Sequence, residues 1–166
     1  MKLIILDRDG VINYDSAHII KTPDEWKPIP GSLEAIARLT QMGYRVVVAT
    51  NQSGIGRGQL DMAALNAIND KMWKAVNQVG GRVDAMFFCP HAYADKCDCR
   101  KPATGMFKEI AQRFGLELRS VPTVGDFVAR LADCRRRGGD PGSGADRQRK
   151  KNERGRRSAG EHQNIC

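Results

Sequence analysis

Two unbroken aliphatic runs, Leu3-Ile4-Ile5-Leu6 and Val46-Val47-Val48-Ala49, each give way to a polar residue, Asp7 and Thr50. A strand that is aliphatic at every position is covered on both faces, as happens in parallel sheets flanked by helices. Between the runs, Leu33, Ile36, Ala37 and Leu39 recur at helical spacing, with Ser32 placed to cap the start and Gly43 to stop the end. These pieces make a β-α-β unit, so the two strands run parallel. Beyond them the pattern predicts a helix over 62–79, a strand over 85–89, a helix over 104–114 closed by Gly115, and a short strand over 121–124 ending at Gly125-Asp126. The expected fold is α/β, a three-layer sandwich with a mostly parallel, Rossmann-like sheet. The polar signatures Asp7, Thr50, Cys89 and Asp126 each follow an apolar strand. Ligands of open α/β sheets bind at the carboxyl ends of the strands, so these residues are expected along one edge.

A chain of 166 residues with 41% apolar content supports one compact domain. The net charge of +8 is unevenly spread: residues 134–166 hold ten Lys/Arg against four Asp/Glu, which leaves +2 for the rest. We therefore expect a folded catalytic domain over 1–133 and a basic tail over 134–166. Ile165 is the only large aliphatic residue of that tail, too little to order it. The tail has the charge to bind nucleic acid but no aromatic residue for base stacking, so that role is disfavoured. The apolar run at the amino terminus is four residues long and stops at Asp7, unlike a signal peptide or a membrane span. A cytoplasmic protein without a membrane partner is expected, and a monomer.

Asp7-Arg8-Asp9-Gly10 is where chemistry is expected first. Alone, Asp-x-Asp-Gly is equally the pattern of a solvated turn. With Thr50, Lys101-Pro102 and Gly125-Asp126 following in order, it reads as a phosphoryl-transfer site. One carboxylate, Asp7, attacks phosphorus; the second, Asp9, protonates the departing alkoxide and then deprotonates water. Carboxylates repel a phosphate dianion, so cations are needed: Mg²⁺ on Asp7, the Asp9 main-chain carbonyl and Asp126, and Lys101 with Arg100 beside it. Thr50 and the main-chain amides of Asn51 and Gln52 are candidate donors to phosphate oxygens. Arg57 can meet a second phosphate or simply stay solvated.

A second constellation is Cys89-Pro90-His91 with Cys97-Asp98-Cys99. Three thiolates and an imidazole form a closed tetrahedral set with no open position, which suits structural Zn²⁺. Unliganded buried cysteines are the plain alternative. Zinc here would brace the loop carrying Arg100 and Lys101.

The motifs Asp7-x-Asp9, Thr50, Lys101 and Asp126 resemble those of haloacid dehalogenase superfamily phosphatases. Asp7-Arg8-Asp9-Gly10-Val11-Ile12-Asn13, Thr50-Asn51-Gln52-Ser53-Gly54-Ile55 and Cys97-Asp98-Cys99-Arg100-Lys101-Pro102 are closer still to the D-glycero-D-manno-heptose 1,7-bisphosphate 7-phosphatase family. The resemblance covers residues 1 to about 126. It implies hydrolysis of the 7-phosphate of a small sugar bisphosphate on the route to the ADP-heptose of lipopolysaccharide core. It also implies no large cap domain, and substrate contacts at Asp15, Ser16, Ala17, His18, Asn51, Gln52, Ser53 and Arg100. Histidinol phosphatases share these motifs and supply the alternative substrate.

The pattern departs from the superfamily after Asp126. Phe127 stands where a small or polar residue belongs, Arg130 where a second acid belongs, and no further apolar strand follows. The Arg- and Gly-rich composition there resembles GC-rich coding sequence read out of frame. A chain so altered is expected to hold Mg²⁺ less well, and an inactive scaffold is a further alternative.

Overall fold

The computed structural model describes residues 1–16 and 18–125. Four strands form one sheet in the order β3-β2-β1-β4: β1 is Lys2–Leu6, β2 Tyr44–Asn51, β3 Ala85–Cys89 and β4 Thr123–Val124. Every neighbouring pair is parallel, with Ile4 beside Val46, Val48 beside Met86 and Ile5 beside Thr123. Three helices make the crossovers: α1 is Ser32–Gln41, α2 Met62–Gln78 and α3 Gly105–Phe114.

Alternation along the strands sorts the core into two layers. Ile4, Leu6, Val46 and Val48 join Ile36 of α1 and Leu65, Ile68, Met72 and Val76 of α2 in one buried cluster, closed at its edge by Trp26. The opposite parity gives Leu3, Ile5, Val47 and Phe87, also buried, and α3 packs beside β3 with the Arg113 guanidinium 6.0 Å from the Phe87 ring centre. Among the described residues no separate cap domain is present, and no helix is long and apolar enough to cross a membrane.

The expected elements form, with two corrections. Ser32 does not cap α1. It is the first helical residue, Gly31 at φ 83° occupies the cap position, and the Ser32 hydroxyl donates to the Ile12 carbonyl at 2.7 Å. The fourth strand is two residues long, not four. Pro122 has no N–H to give a ladder, and the Val121 N–H turns back to the Leu118 carbonyl.

The sheet grows outward from β1 in both directions, to β2 and β3 on one side and to β4 on the other. The crevice outside the carboxyl end of β1 is therefore the topological switch point, the place where this architecture opens to ligands. Ala17, Asp126, Phe127, Arg130 and the tail over 134–166 lie outside the described residues.

Candidate active site

Asp7 follows β1 directly, and its N–H donates to Val124 at 2.9 Å, so it stands at the switch point with its backbone fixed by β4. The Arg8 carbonyl then accepts from the amides of Ile12 at 2.9 Å and Asn13 at 3.1 Å, while Gly10 takes φ 78°. This tight turn, which needs a glycine at its left-handed position, folds Asp9 back toward Asp7.

Thr50 and Gln52 at the end of β2 reach the same place. The Gln52 side-chain amide donates to Asp9 Oδ2 at 2.9 Å and to Thr50 Oγ1 at 3.0 Å, and the Thr50 hydroxyl lies 3.4 Å from Asp9 Oδ2. Asn13 Nδ2 donates to Asp9 Oδ1 at 2.9 Å. Lys101 arrives from a loop 94 positions on; its ammonium pairs with Asp7 Oδ2 and donates to the Ala49 carbonyl at 2.9 Å. Burial raises the Asp7 carboxyl pKa above the ordinary value, against the opposing pull of the Lys101 ammonium and the Arg8 amide.

Asn51 clasps the main chain of Lys101 from both sides, accepting from its N–H at 3.0 Å and donating to its carbonyl at 3.1 Å. Asn51 lines the adjoining cleft with its carboxamide already engaged. The expected Gln52 main-chain donor is also unavailable to phosphate. The β2–β3 ladder runs one residue further than the sequence suggests, and that N–H donates to the Cys89 carbonyl at 2.8 Å.

An open cleft lies over Asp9. Arg8, Asp15, Ser16, His18, Asn51, Gln52, Ser53 and Arg57 are among the residues that line it. Arg57 is tethered through Nη2 to the Ser53 hydroxyl at 2.9 Å. Arg100 is not among the lining residues and donates to the His91 carbonyl at 3.3 Å. Trp26 serves packing in the buried cluster. Arg8, which grips the Asp9 carboxylate, carries no sequence signal of its own beyond standing between two acids.

The second cluster also assembles. One ligand atom each from Cys89, His91, Cys97 and Cys99 lies within 4.8 Å of all the others, and the sulfur–sulfur separations are 3.3–3.5 Å. Thiolates on a tetrahedral zinc at about 2.3 Å stand about 3.8 Å apart, so the set fits that ion after a slight expansion. Burial raises the Cys89 thiol, and burial with the neighbouring thiols pushes Cys99 up to about 12. At Cys97, burial is outweighed by the Arg100 amide and the neighbouring ligands, and the thiol falls to about 7. The loop is locked to its surroundings by close backbone approaches. Gly56 donates to the Pro90 carbonyl at 2.8 Å and Gly105 to the Asp98 carbonyl at 2.9 Å, and neither position has room for a Cβ. For magnesium, the donor set of Asp7 and the Asp9 carbonyl is oxygen only, as a hard cation requires.

Residues 2–154 match the family described as polynucleotide kinase 3 phosphatase. The D-glycero-beta-D-manno-heptose-1,7-bisphosphate 7-phosphatase of Bordetella bronchiseptica is 60% identical over 131 residues, covering 79% of this chain and 73% of that one. The chain belongs to the heptose 1,7-bisphosphate 7-phosphatase family. The Pseudomonas aeruginosa member is 52% identical over 137 residues, covering 80% of this chain and 77% of its own. A crystal structure of the Bordetella bronchiseptica family member, complexed with magnesium and phosphate, superposes with a TM-score of 0.75 at 61% identity, covering 76% of this chain and 70% of that one.

Proposed function

We propose that this chain removes the 7-phosphate of D-glycero-D-manno-heptose 1,7-bisphosphate, with Asp7 as nucleophile and Asp9 as acid and base. The observation that carries this reading is the meeting of Asp7 and Asp9 with Thr50 and Lys101 at the switch point, from three separate parts of the chain. A structural turn would need no buried ammonium against its first carboxylate.

The Asp7 carboxylate forms a bond to phosphorus as the ester P–O bond breaks, and Asp9 delivers its proton to the leaving oxygen. Asp9 then takes a proton from water as the water oxygen attacks the aspartyl phosphate, which releases inorganic phosphate and restores Asp7. Lys101 and the Thr50 hydroxyl offset the charge gathering on the phosphoryl oxygens. Magnesium, when bound by Asp7, the Asp9 carbonyl and Asp126, supplies further charge neutralisation. Asp15, Ser16, Ala17, His18 and Ser53 are the residues assigned to the sugar, Gln52 orients Asp9, and Arg100 is assigned to substrate from the zinc loop, outside the cleft lining. The zinc held by Cys89, His91, Cys97 and Cys99 is structural. The catalytic domain spans 1–133, and the protein is a cytoplasmic monomer.

Relatives named for the sugar bisphosphate favour it over histidinol phosphate. The test is phosphate release from heptose 1,7-bisphosphate, histidinol phosphate and a 3′-phosphorylated oligonucleotide, with and without Mg²⁺. Preference for the heptose that is lost in Asp7→Asn supports the proposal. Equal turnover of the other two substrates would overturn the substrate, and activity surviving in Asp7→Asn would overturn the mechanism.

A further inference from the structure

Arg8 stands between the two carboxylates of the site yet is only 1% exposed. A buried guanidinium is costly unless its donors are paired, so its partners reveal its task. Nε donates to Asp9 Oδ1 at 3.1 Å and Nη2 to Asp9 Oδ2 at 3.3 Å, a two-pronged hold that fixes the plane of one carboxylate. The other arm, Nη1, donates to Asn69 Oδ1 at 3.3 Å. Asn69 sits in α2 and is 4% exposed, on the helix face that also carries Leu65, Ile68 and Met72 into the core. A carboxamide on that face disfavours burial unless it is bonded, and its oxygen accepts from the guanidinium. The transfer steps above use neither residue.

We propose that Asn69 and Arg8 are positioning residues that set the Asp9 carboxylate for proton delivery to the leaving oxygen. Asn69 fixes the rotation of the guanidinium, and the guanidinium fixes the plane of Asp9. Arg8 borders the cleft, but its side chain is 2% exposed and its donors go to Asp9 and Asn69, so it acts through Asp9. The inference rests on the acid role of Asp9 proposed above.

The experiment compares the heptose bisphosphate, whose alkoxide needs a proton to depart, with p-nitrophenyl phosphate, whose leaving group departs without one. Four variants are measured beside the wild type: Asp9→Asn, Arg8→Met, Asn69→Leu and Asn69→Asp. A folding or metal-binding defect lowers both substrates by one factor, and kcat/KM covers only the steps up to phosphoryl transfer to Asp7, so the ratio of the two kcat/KM values reports proton delivery alone. Arg8→Met and Asn69→Leu should each lower that ratio at least about tenfold, within the range that general-acid catalysis supplies. Asn69→Asp keeps an acceptor for Nη1 and should stay within about threefold of wild type. If Asp9→Asn lowers the ratio while Arg8→Met and Asn69→Leu leave it unchanged, the positioning role is overturned. If Asp9→Asn itself leaves the ratio unchanged, the acid role of Asp9 fails and the inference fails with it.

Discussion

At the scale of single residues, Asp7 and Lys101 share one buried ion pair with different consequences when either is lost. Asp7→Asn removes the group that bonds to phosphorus, and turnover should fall by about 10³-fold or more. Lys101→Met removes charge stabilisation only and should cost about 10²–10³ in kcat, read in the same phosphate-release assay. Gly125 adds a steric case. A Cβ there meets the Asp7 Cβ at 3.1 Å, so Gly125→Ala should displace the nucleophile and lower kcat about tenfold or more. Asp7, Asp9, Thr50 and Lys101 were legible in the sequence because each ends an aliphatic run or sits in a short motif. Asn69 was not, because a lone polar residue inside an amphipathic helix looks the same whether it faces solvent or a buried guanidinium. The engaged amide of Gln52 was hidden too, since ladder length depends on the neighbouring strand.

At the scale of elements, the zinc loop is held at both ends by glycines that touch backbone. Gly56 has the Pro90 carbonyl 2.7 Å from where its Cβ would be, and Gly105 has the Asp98 carbonyl at 2.6 Å. Gly56→Ala should therefore weaken zinc retention and activity together, measured by metal analysis after dialysis alongside turnover. Zinc removal by a strong chelator should lower the unfolding temperature and reduce activity even with Mg²⁺ in excess, because the loop carries Lys101. Activity untouched by complete zinc loss would contradict this coupling. The Cys/His cluster could be read from spacing, since four donors of the right types fall within eleven positions and the fold brings them together. What holds the loop to the rest of the protein could not, because backbone approach leaves no pattern beyond a glycine. The true cap of α1 was likewise obscured: Ser32 has the right chemistry, but the Ile12 carbonyl claims its hydroxyl.

At the scale of the whole molecule, the parallel sheet and its crossovers were legible in the aliphatic runs and the helical spacing. Strand order was not readable in the same way, since β4 joins the far side of β1 and only tertiary packing decides that. The core beneath that sheet is separable from the chemistry above it. Ile68 is fully buried between the sheet and the helices, and Ile68→Ala should cost about 2–5 kcal/mol in denaturant unfolding. The fraction that remains folded should keep its kcat, because Ile68 makes none of the hydrogen bonds that order Asp9.

The Asn51 clasp holds the peptide groups of residue 101 and not its side chain. Position 101 is thus a socket whose main-chain mounting is separate from the bonds its ammonium makes to Asp7 and Ala49. Arginine, or shorter and longer amines introduced chemically at a cysteine, can be installed there without resetting the loop. The distance from cation to nucleophile becomes an adjustable quantity, and a plot of log kcat against that distance would report how sharply the reaction depends on it.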